Sequence, residues 1–324
     1  MSAWCRRKGR QVGCEEMKKD KVKIVGIGAC VMDTLVTIPN YPKEDTKLKA
    51  ISSKPSGGGP TGTGLVAAQK LGEQAAYIGV LADDNGGVFL QKDYEKYGVN
   101  TDCVDVMSGY RSFTSVIWLA QDMATRTIVF DKGNLPPLEL NQIQKQAVAD
   151  SQILMIDGNE MDAAEEACKH AKENGTKVLY DCGGLYEGVE RLLKLTDVMI
   201  PSEEFALGHT GCKTVEEAAA RLYELYHPEV VVITCGKEGG IIFGGNHCVK
   251  YPAFLVEAVD TNGSGDVFHG AFAAAMVKGY SYMDCCLFAS ATSAIKCTGV
   301  GARQSVPDER TVLEFLKDRG IELS

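Results

Sequence analysis

Asp266 closes the heptapeptide Asp260-Thr261-Asn262-Gly263-Ser264-Gly265-Asp266. Val267, Phe268, Ala271, Phe272, Ala275 and Met276 follow at helical spacing, so a tight turn feeds the start of an amphipathic helix. Such a junction presents unpaired backbone N–H groups and the positive end of a helix dipole. Gly263 and Gly265 carry no Cβ, and an anion can therefore approach the backbone closely. The expected chemistry is transfer of a phosphoryl group to a hydroxyl. Asp266, held ionised by the field of the helix, takes the proton, and the N–H groups of Asn262, Gly263, Ser264 and Gly265 hold the charge. A Gly-rich turn capped by Asp is also an ordinary way to start a helix. The heptapeptide alone leaves both readings open.

Other phosphate-binding patterns are absent. The only Gly-Lys pair, Gly236-Lys237, continues with Glu238 and has Val231 where a Walker loop needs its first Gly. No protein-kinase motif is present. Gly26-x-Gly28 invites an NAD-dependent dehydrogenase reading, but Val31 stands where the third Gly belongs. Asp33 lies just past an apolar run, where a carboxylate can accept two hydrogen bonds from a polyol. A second glycine cluster spans Gly57 to Gly64, and Thr234-Cys235-Gly236 with Gly239-Gly240 marks a strand-end turn. Arg111 opens a hairpin and is placed to meet an anionic group on a substrate.

The heptapeptide with the following Phe268-His269-Gly270-Ala271 resembles the DTxGAGD…FxGA signature of the ribokinase-like (PfkB) carbohydrate kinases, with Ser264 in place of Ala. The resemblance runs in order through nearly all of the chain after residue 20. It implies that Asp33 in GIGACVMD holds sugar hydroxyls and that Gly58 and Gly59 bring backbone to the sugar. Thr63 stands where the family often has Asn, so a hydroxyl replaces an amide; this matches the GGP-x-x-T subset, which includes sulfofructose-kinase-like members. Ser202-Glu203-Glu204 falls where the family carries N-x-x-E, and a one-residue shift makes Glu204 the acid that acts through water on Mg2+. Ser202, Thr234, Gly236, Gly239, Thr261 and Gly301 are the implied nucleotide contacts, with the adenine-side loop at Gly299–Ala302 and Ser305–Pro307. The implied cofactors are ATP and Mg2+. In many members that loop and the segment before the signature also bind K+ through backbone carbonyls.

The elements that must position these residues follow from hydrophobic period. Val22–Cys30 is a buried strand, Val36–Ile38 and Leu48–Ser52 are short strands, and Leu65–Leu71 is a helix closed by Gly72. Tyr77–Leu81 is a strand and Val88–Tyr97 a helix. From Gln142, helices over 142–149, 162–174, 187–194 and 214–226 alternate with apolar strands over 153–157, 177–181, 197–200 and 230–234. A hairpin over 240–251 and helices over 266–278, 281–297 and 308–318 complete the chain. Together these predict an α/β fold, a doubly wound, mostly parallel sheet (ribokinase-like) with a small β-sheet lid. The expected organisation is a disordered tail over 1–20 and a kinase domain over 21–324, with the lid formed by parts of 33–55 and 109–130. Met17 is a candidate natural start. Ser112–Ala120 and Thr125–Phe130 alternate with neither face wholly polar, and Trp118 needs cover, which predicts a homodimer joined through the lids.

Composition sets the outer bounds. The 324 residues are 45% hydrophobic and 24% charged, with net charge −9 and a sequence pI near 5.2, which disfavours a nucleic-acid partner. No run reaches the roughly 20 apolar residues of a membrane span, and the basic stretch at Arg6–Arg10 has no apolar run after it, so it is not a secretory signal. The 12 Cys contain no CxxC pair, and the 5 His show no metal-ligand spacing; buried thiols in a reducing, cytoplasmic setting are expected. The partner is then a small-molecule sugar. A nucleoside (adenosine-type) kinase of the same fold and a non-catalytic sugar-binding protein remain as alternatives.

Overall fold

The structure is a computed structural model, and it describes residues 21–324 except Ala124 and Asn246. The tail expected to be disordered over 1–20, and Met17 within it, lie outside the described residues.

The chain enters on β1 (Ile24–Ile27), pairs β2 (Val31–Ile38) with β3 (Ser52–Gly58) and turns into α1 (Pro60–Lys70). β4 (Ala75–Tyr77), β5 (Gly79–Ala82), α2 (Asn85–Tyr97) and β6 (Val104–Met107) lead to the hairpin β7 (Thr114–Ala120) and β8 (Thr125–Asp131). Alternation then runs through α3 (Gln142–Asp150), β9 (Ile153–Ile156), α4 (Met161–Asn174), β10 (Lys177–Cys182), α5 (Glu190–Leu193) and β11 (Val198–Pro201). It continues with α6 (Glu203–Thr210), α7 (Val215–Tyr226), β12 (Val230–Thr234), β13 (Gly240–Gly244) and β14 (His247–Tyr251). Three helices close the chain: α8 (Ser264–Val277), α9 (Tyr282–Cys297) and α10 (Glu309–Lys317).

The main sheet has eight strands in the order β14-β13-β12-β11-β10-β9-β1-β4. β4 through β12 pair in parallel, and β13 and β14 add an antiparallel edge. Parallel strands are covered on both faces, which is why β9 and β11 are uniformly buried. Successive residues feed opposite layers. Ile24 and Met155 pack with Leu65, Phe268, Phe272 and Phe288 on one face. Val25 and Leu154 pack with Ala164, Ala167 and Leu222 on the other. The doubly wound expectation therefore holds. The lid is a separate four-stranded sheet, β3-β2-β7-β8.

Several local expectations are corrected. Leu48–Ser52 is not a strand; β3 begins only at Ser52 and runs on through Pro55, Gly57 and Gly58. Pairing with β2 overrides the poor strand preference of those residues, and Pro55 is tolerated because β3 is an edge strand. α1 starts at Pro60 rather than Leu65, with Pro at its first turn, and Gly62 and Gly64 lie within it. A Cβ on Gly62 would fall 2.5 Å from Arg303, so crowding explains a glycine inside a helix. The strand expected over Tyr77–Leu81 is broken in two, β4 in the main sheet and β5 pairing with the unforeseen β6. The helix expected over 187–194 shrinks to α5, and Glu203–Thr210 is helical rather than loop, capped by the Ser202 hydroxyl accepting from Phe205 N.

One buried ion pair ties lid, α2 and the C-terminal loop together. Arg303 is 0% exposed; it donates to Asp93 Oδ2 at 2.7 Å and to the Gly58 carbonyl at 2.7 Å. Removing one partner strands the other charge without solvent. Asp93→Ala is expected to cost about 3–5 kcal/mol in urea unfolding. Adding Arg303→Met to it should recover part of that loss, because the stranded cation is gone. A cost below ~1 kcal/mol for Asp93→Ala would mean that the pair behaves like a surface bridge.

Candidate active site

The sheet changes winding direction between β1 and β9: β1 leads outward to β4, and β9 leads the other way to β10. Ligands of doubly wound sheets bind at the strand ends beside such a reversal. Asp157 stands there, one residue past β9. Its Oδ2 accepts from the backbone N–H of Ala29 (2.8 Å) and Thr61 (3.1 Å), and its Oδ1 accepts from the backbone of Asn159 (3.0 Å). This carboxylate therefore pins the β1 exit and the start of α1 to the same point. Gly28 must be small, since a Cβ there would sit 2.3 Å from Thr61 Oγ1 and 2.4 Å from Asp157.

The signature turn docks opposite. Asp260 Oδ1 accepts from Asn262 N at 2.8 Å and its Oδ2 from Gly301 N at 2.8 Å. Gly263 has φ 73 and caps α8, and a Cβ on it would strike Ala302 at 2.5 Å. A Cβ on Gly265 meets nothing within 4 Å, so the backbone at that position faces open space. Asp266, in the first turn of α8, is half-buried.

The field around Asp266 differs from the expectation that the helix keeps it ionised. Burial, then the carboxylates of Asp181, Asp157 and Asp33, push its carboxyl from its ordinary 3.8 up to about 7, with His269 acting in the opposite direction. Burial and three neighbouring carboxylates outweigh the helix dipole. Asp181 is buried and held well above the usual range by burial and by Asp157. His269 is buried with Nδ1 2.7 Å from the Gly265 carbonyl and 3.2 Å from Asp181, and Nε2 3.0 Å from the Ile200 carbonyl. Every contact of the ring is an acceptor, which favours the doubly protonated form against the burial that lowers its pKa.

Two cavities flank this centre. One, about 340 Å3, is lined by Thr234, Gly236, Gly239, Thr261, Ser264 and Gly265, backed by apolar side chains that include Phe254 and Ala294. The other, about 310 Å3, lies under the lid against Gly28, Ala29, Cys30, Lys132, Asn159 and Glu160. A surface pocket against α10 and another against α7 touch none of the residues singled out by the sequence.

The sequence-derived residues distribute as follows. Asp33 is 7% exposed on β2 and accepts from Ser115 Oγ at 2.6 Å; burial pushes it up to about 6, with Ser115 and Arg303 acting the other way. Gly58 lies against it, since a Cβ there would come 1.9 Å from Asp33 Oδ2, and Gly59 has φ 87 with its Cβ position blocked by the Ala29 carbonyl. Thr63 is buried in α1 with no partner for its hydroxyl among the described residues. Thr234, Gly236, Gly239 and Thr261 share the first cavity with Ser264 and Gly265, and Gly301 joins the signature through Asp260. Ser202 pairs with Thr234 through a bridge at the strand end. Glu204 is exposed in the first turn of α6, and no cluster of metal-binding side chains occurs among the described residues. Arg111 stays apart: it is exposed and paired with Asp131 at 2.9 Å.

Sequence reasoning passed over Asp157, Asp181 and His269. The first two did carry a signal, an Asp at the C-terminal end of an apolar parallel strand in ILMID and VLYD. His269 falls at the unspecified x of the FxGA signature, which carries no side-chain signal.

Comparison with known proteins matches residues 21–309 to the family described as pfkB family carbohydrate kinase. A ribokinase of Haemophilus influenzae is 27% identical over 299 residues, covering 90% of this chain and 97% of its own. A 5-dehydro-2-deoxygluconokinase of Clostridium botulinum is 24% identical over 334 residues, covering 95% and 97%. Among solved structures, Arabidopsis thaliana ribokinase complexed with ribose and ATP superposes with TM-score 0.82 at 26% identity, covering 91% of this chain and 99% of that one.

The raised Asp266 and Asp33 set a pH dependence of stability. Between about pH 4 and 7 the folded chain holds protons that the unfolded chain releases, so stability falls as pH rises through that window. Asp266→Asn removes the largest part of that loss. Its Tm at pH 8 is expected to exceed that of the parent by ~3 °C or more, with the difference closing near pH 4 in calorimetry. A lower Tm at pH 8 would contradict the raised carboxyl.

Proposed function

Because this chain belongs to the pfkB family of carbohydrate kinases, we propose that it transfers the γ-phosphoryl group of ATP, bound with Mg2+, to a hydroxyl of a sugar or sugar derivative. Asp266 takes the hydroxyl proton, and the backbone N–H groups of Gly263 and Gly265 stabilise the charge on the phosphoryl in transit, while those of Asn262 and Ser264 are spent on Asp260 Oδ1 and the Thr261 carbonyl and shape the turn. The observation that carries this reading is the position of Asp266. It follows Gly265, which edges the first cavity, and lies within the field of Asp181, Asp157 and Asp33, with its carboxyl raised to about 7. A base poised near working pH both accepts a proton and releases it.

ATP fits the first cavity by chemistry. Phe254 and Ala294 offer an apolar wall for a base, while Thr234, Gly236, Gly239 and Thr261 offer hydroxyl and backbone groups to phosphates. Ser202 supports this side through its bridge to Thr234, and Glu204, exposed in the first turn of α6, would hold Mg2+ through water. The sugar lies on the lid side, with Asp33 as the carboxylate for its hydroxyls, Gly58 packed against that carboxylate, Gly59 beside the Ala29 carbonyl, and Thr63 buried behind them in α1. Mg2+ supplies charge neutralisation on the transferring phosphates. The chain's own residues orient the two substrates and exclude water.

Arg111 is paired with Asp131 at the surface, and Lys132, which lines the lid-side cavity, offers a second cation for an anionic group on the substrate. The lid also supports the homodimer. Val116, Trp118 and Val129 share one sheet face by register and are 40%, 37% and 63% exposed. A second lid would cover them. Trp118→Glu should convert a dimer into a monomer in sedimentation equilibrium; a parent chain that is already monomeric would sink the lid-to-lid contact.

The reaction is tested by sugar-dependent ADP release over a panel of sugars and sugar phosphates, with adenosine included to separate a nucleoside kinase. With the best acceptor, Asp266→Asn should lower the single-turnover rate at least ~10²-fold. The parent's kcat/KM should fall as pH drops below about 7. A variant that keeps more than about a tenth of the rate removes Asp266 as the base.

A further inference from the structure

The last turn of α9 carries a lysine without access to solvent. Lys296 is 0% exposed, and its ammonium donates to the backbone carbonyl of Asp260 at 2.8 Å and to that of Asn262. Both hydrogen-bond acceptors are main-chain oxygens. Burying an ammonium in this way is expensive, and burial does push its pKa down, with the Asp260 and Asp266 carboxylates acting the other way. An apolar side chain would fill the same space at no electrostatic cost. The charge, rather than the volume, is what the position demands.

The surroundings show what the charge holds. The Cys297 carbonyl accepts from Val259 N (2.7 Å) and Asp260 N (3.1 Å), Gly301 N donates to Asp260 Oδ2, and Ser293 Oγ donates to the Ser264 carbonyl at 2.9 Å. Lys296 thus sits where the opening of the signature meets the loop after α9. The family resemblance implies a potassium ion bound through carbonyls of these neighbouring segments. Potassium and a primary ammonium are both monovalent cations that carbonyl oxygens can surround. The Asp260 and Asn262 carbonyls already carry the lysine nitrogen, so an ion does not fit on them.

We propose that Lys296 is a tethered monovalent cation, which fixes the carbonyls of Asp260 and Asn262 so that the following N–H groups face the phosphoryl, and which frees this enzyme from a need for potassium. The proposal rests on the kinase reading, in which those N–H groups form the anion hole. Lys296 is a positioning residue: it touches the loop, not the reacting atoms.

The test compares potassium chloride with choline chloride at equal ionic strength, for the parent chain, Lys296→Ala and Lys296→Met. The parent's rate should agree within about twofold between the salts, whereas Lys296→Ala should lose at least ~10-fold in choline and regain most of it in potassium or ammonium. Its Tm should also rise in potassium, while the parent's does not. Lys296→Met keeps the bulk without the charge and should be slow in every salt. Three results would overturn the proposal: a parent that needs potassium, a Lys296→Met with parental rate, or a folded Lys296→Ala that no cation restores in rate or Tm. If Lys296→Ala does not fold, the parent and Lys296→Met decide. Should no acceptor support turnover, the kinase reading fails by itself, and the potassium response of Tm in Lys296→Ala still reports on the cation site.

Discussion

Charge balance at the C-terminal edge of the sheet governs this molecule. Asp33, Asp157, Asp181 and Asp266 converge there, and each reaches the site from a different element. A cluster of that kind repels itself in a half-dry environment. The fold answers with hydrogen bonds to Asp157, with proton uptake at Asp266 and Asp33, and with three buried basic groups: His269 beside Asp181, Lys296 under the signature and Arg303 against the end of β3. Remove the convergence and the basic residues lose their purpose. Remove the basic residues and the carboxylates cannot stay so close.

The helix α9 shows how the balance is built from local rules. Ser290, Ser293, Lys296 and Cys297 share one face at helical spacing and bind, in turn, the Pro252, Ser264 and Asp260 carbonyls and the Val259 amide. One helix face therefore aligns both the wall of the apolar cavity and the turn ahead of α8. The glycines of the turn need no side-chain support of their own, because the neighbouring helix already holds their backbone.

The sequence made the architecture legible where pattern is local. Alternating apolar strands and helices after Gln142 can be read because each parallel strand is buried on both faces and each helix on one. Thr234, Gly236, Gly239 and Thr261 could be grouped from a family resemblance and do share a cavity. What escaped was set by contacts between distant segments. β3 runs through Pro55 and two glycines because β2 pairs with it, and β6 exists only because β5 lies beside it. The state of Asp266 was misjudged for the same reason. The helix dipole is visible in sequence, but the carboxylates that oppose it come from residues 33, 157 and 181. Lys296 falls within the helix expected over 281–297 with no local signal, and only the position of two carbonyls gives it meaning.

Arg303 carries a consequence for how the molecule comes into being. Its partners Asp93 and Gly58 lie 210 and 245 residues earlier in the chain. During synthesis the N-terminal half emerges with Asp93 directed toward a space that no cation yet fills. Contacts of such long sequence separation form late, since the loop must close before they repay its entropy. The junction of lid and α2 thus stays incomplete until Arg303 has been made, 245 residues after Gly58.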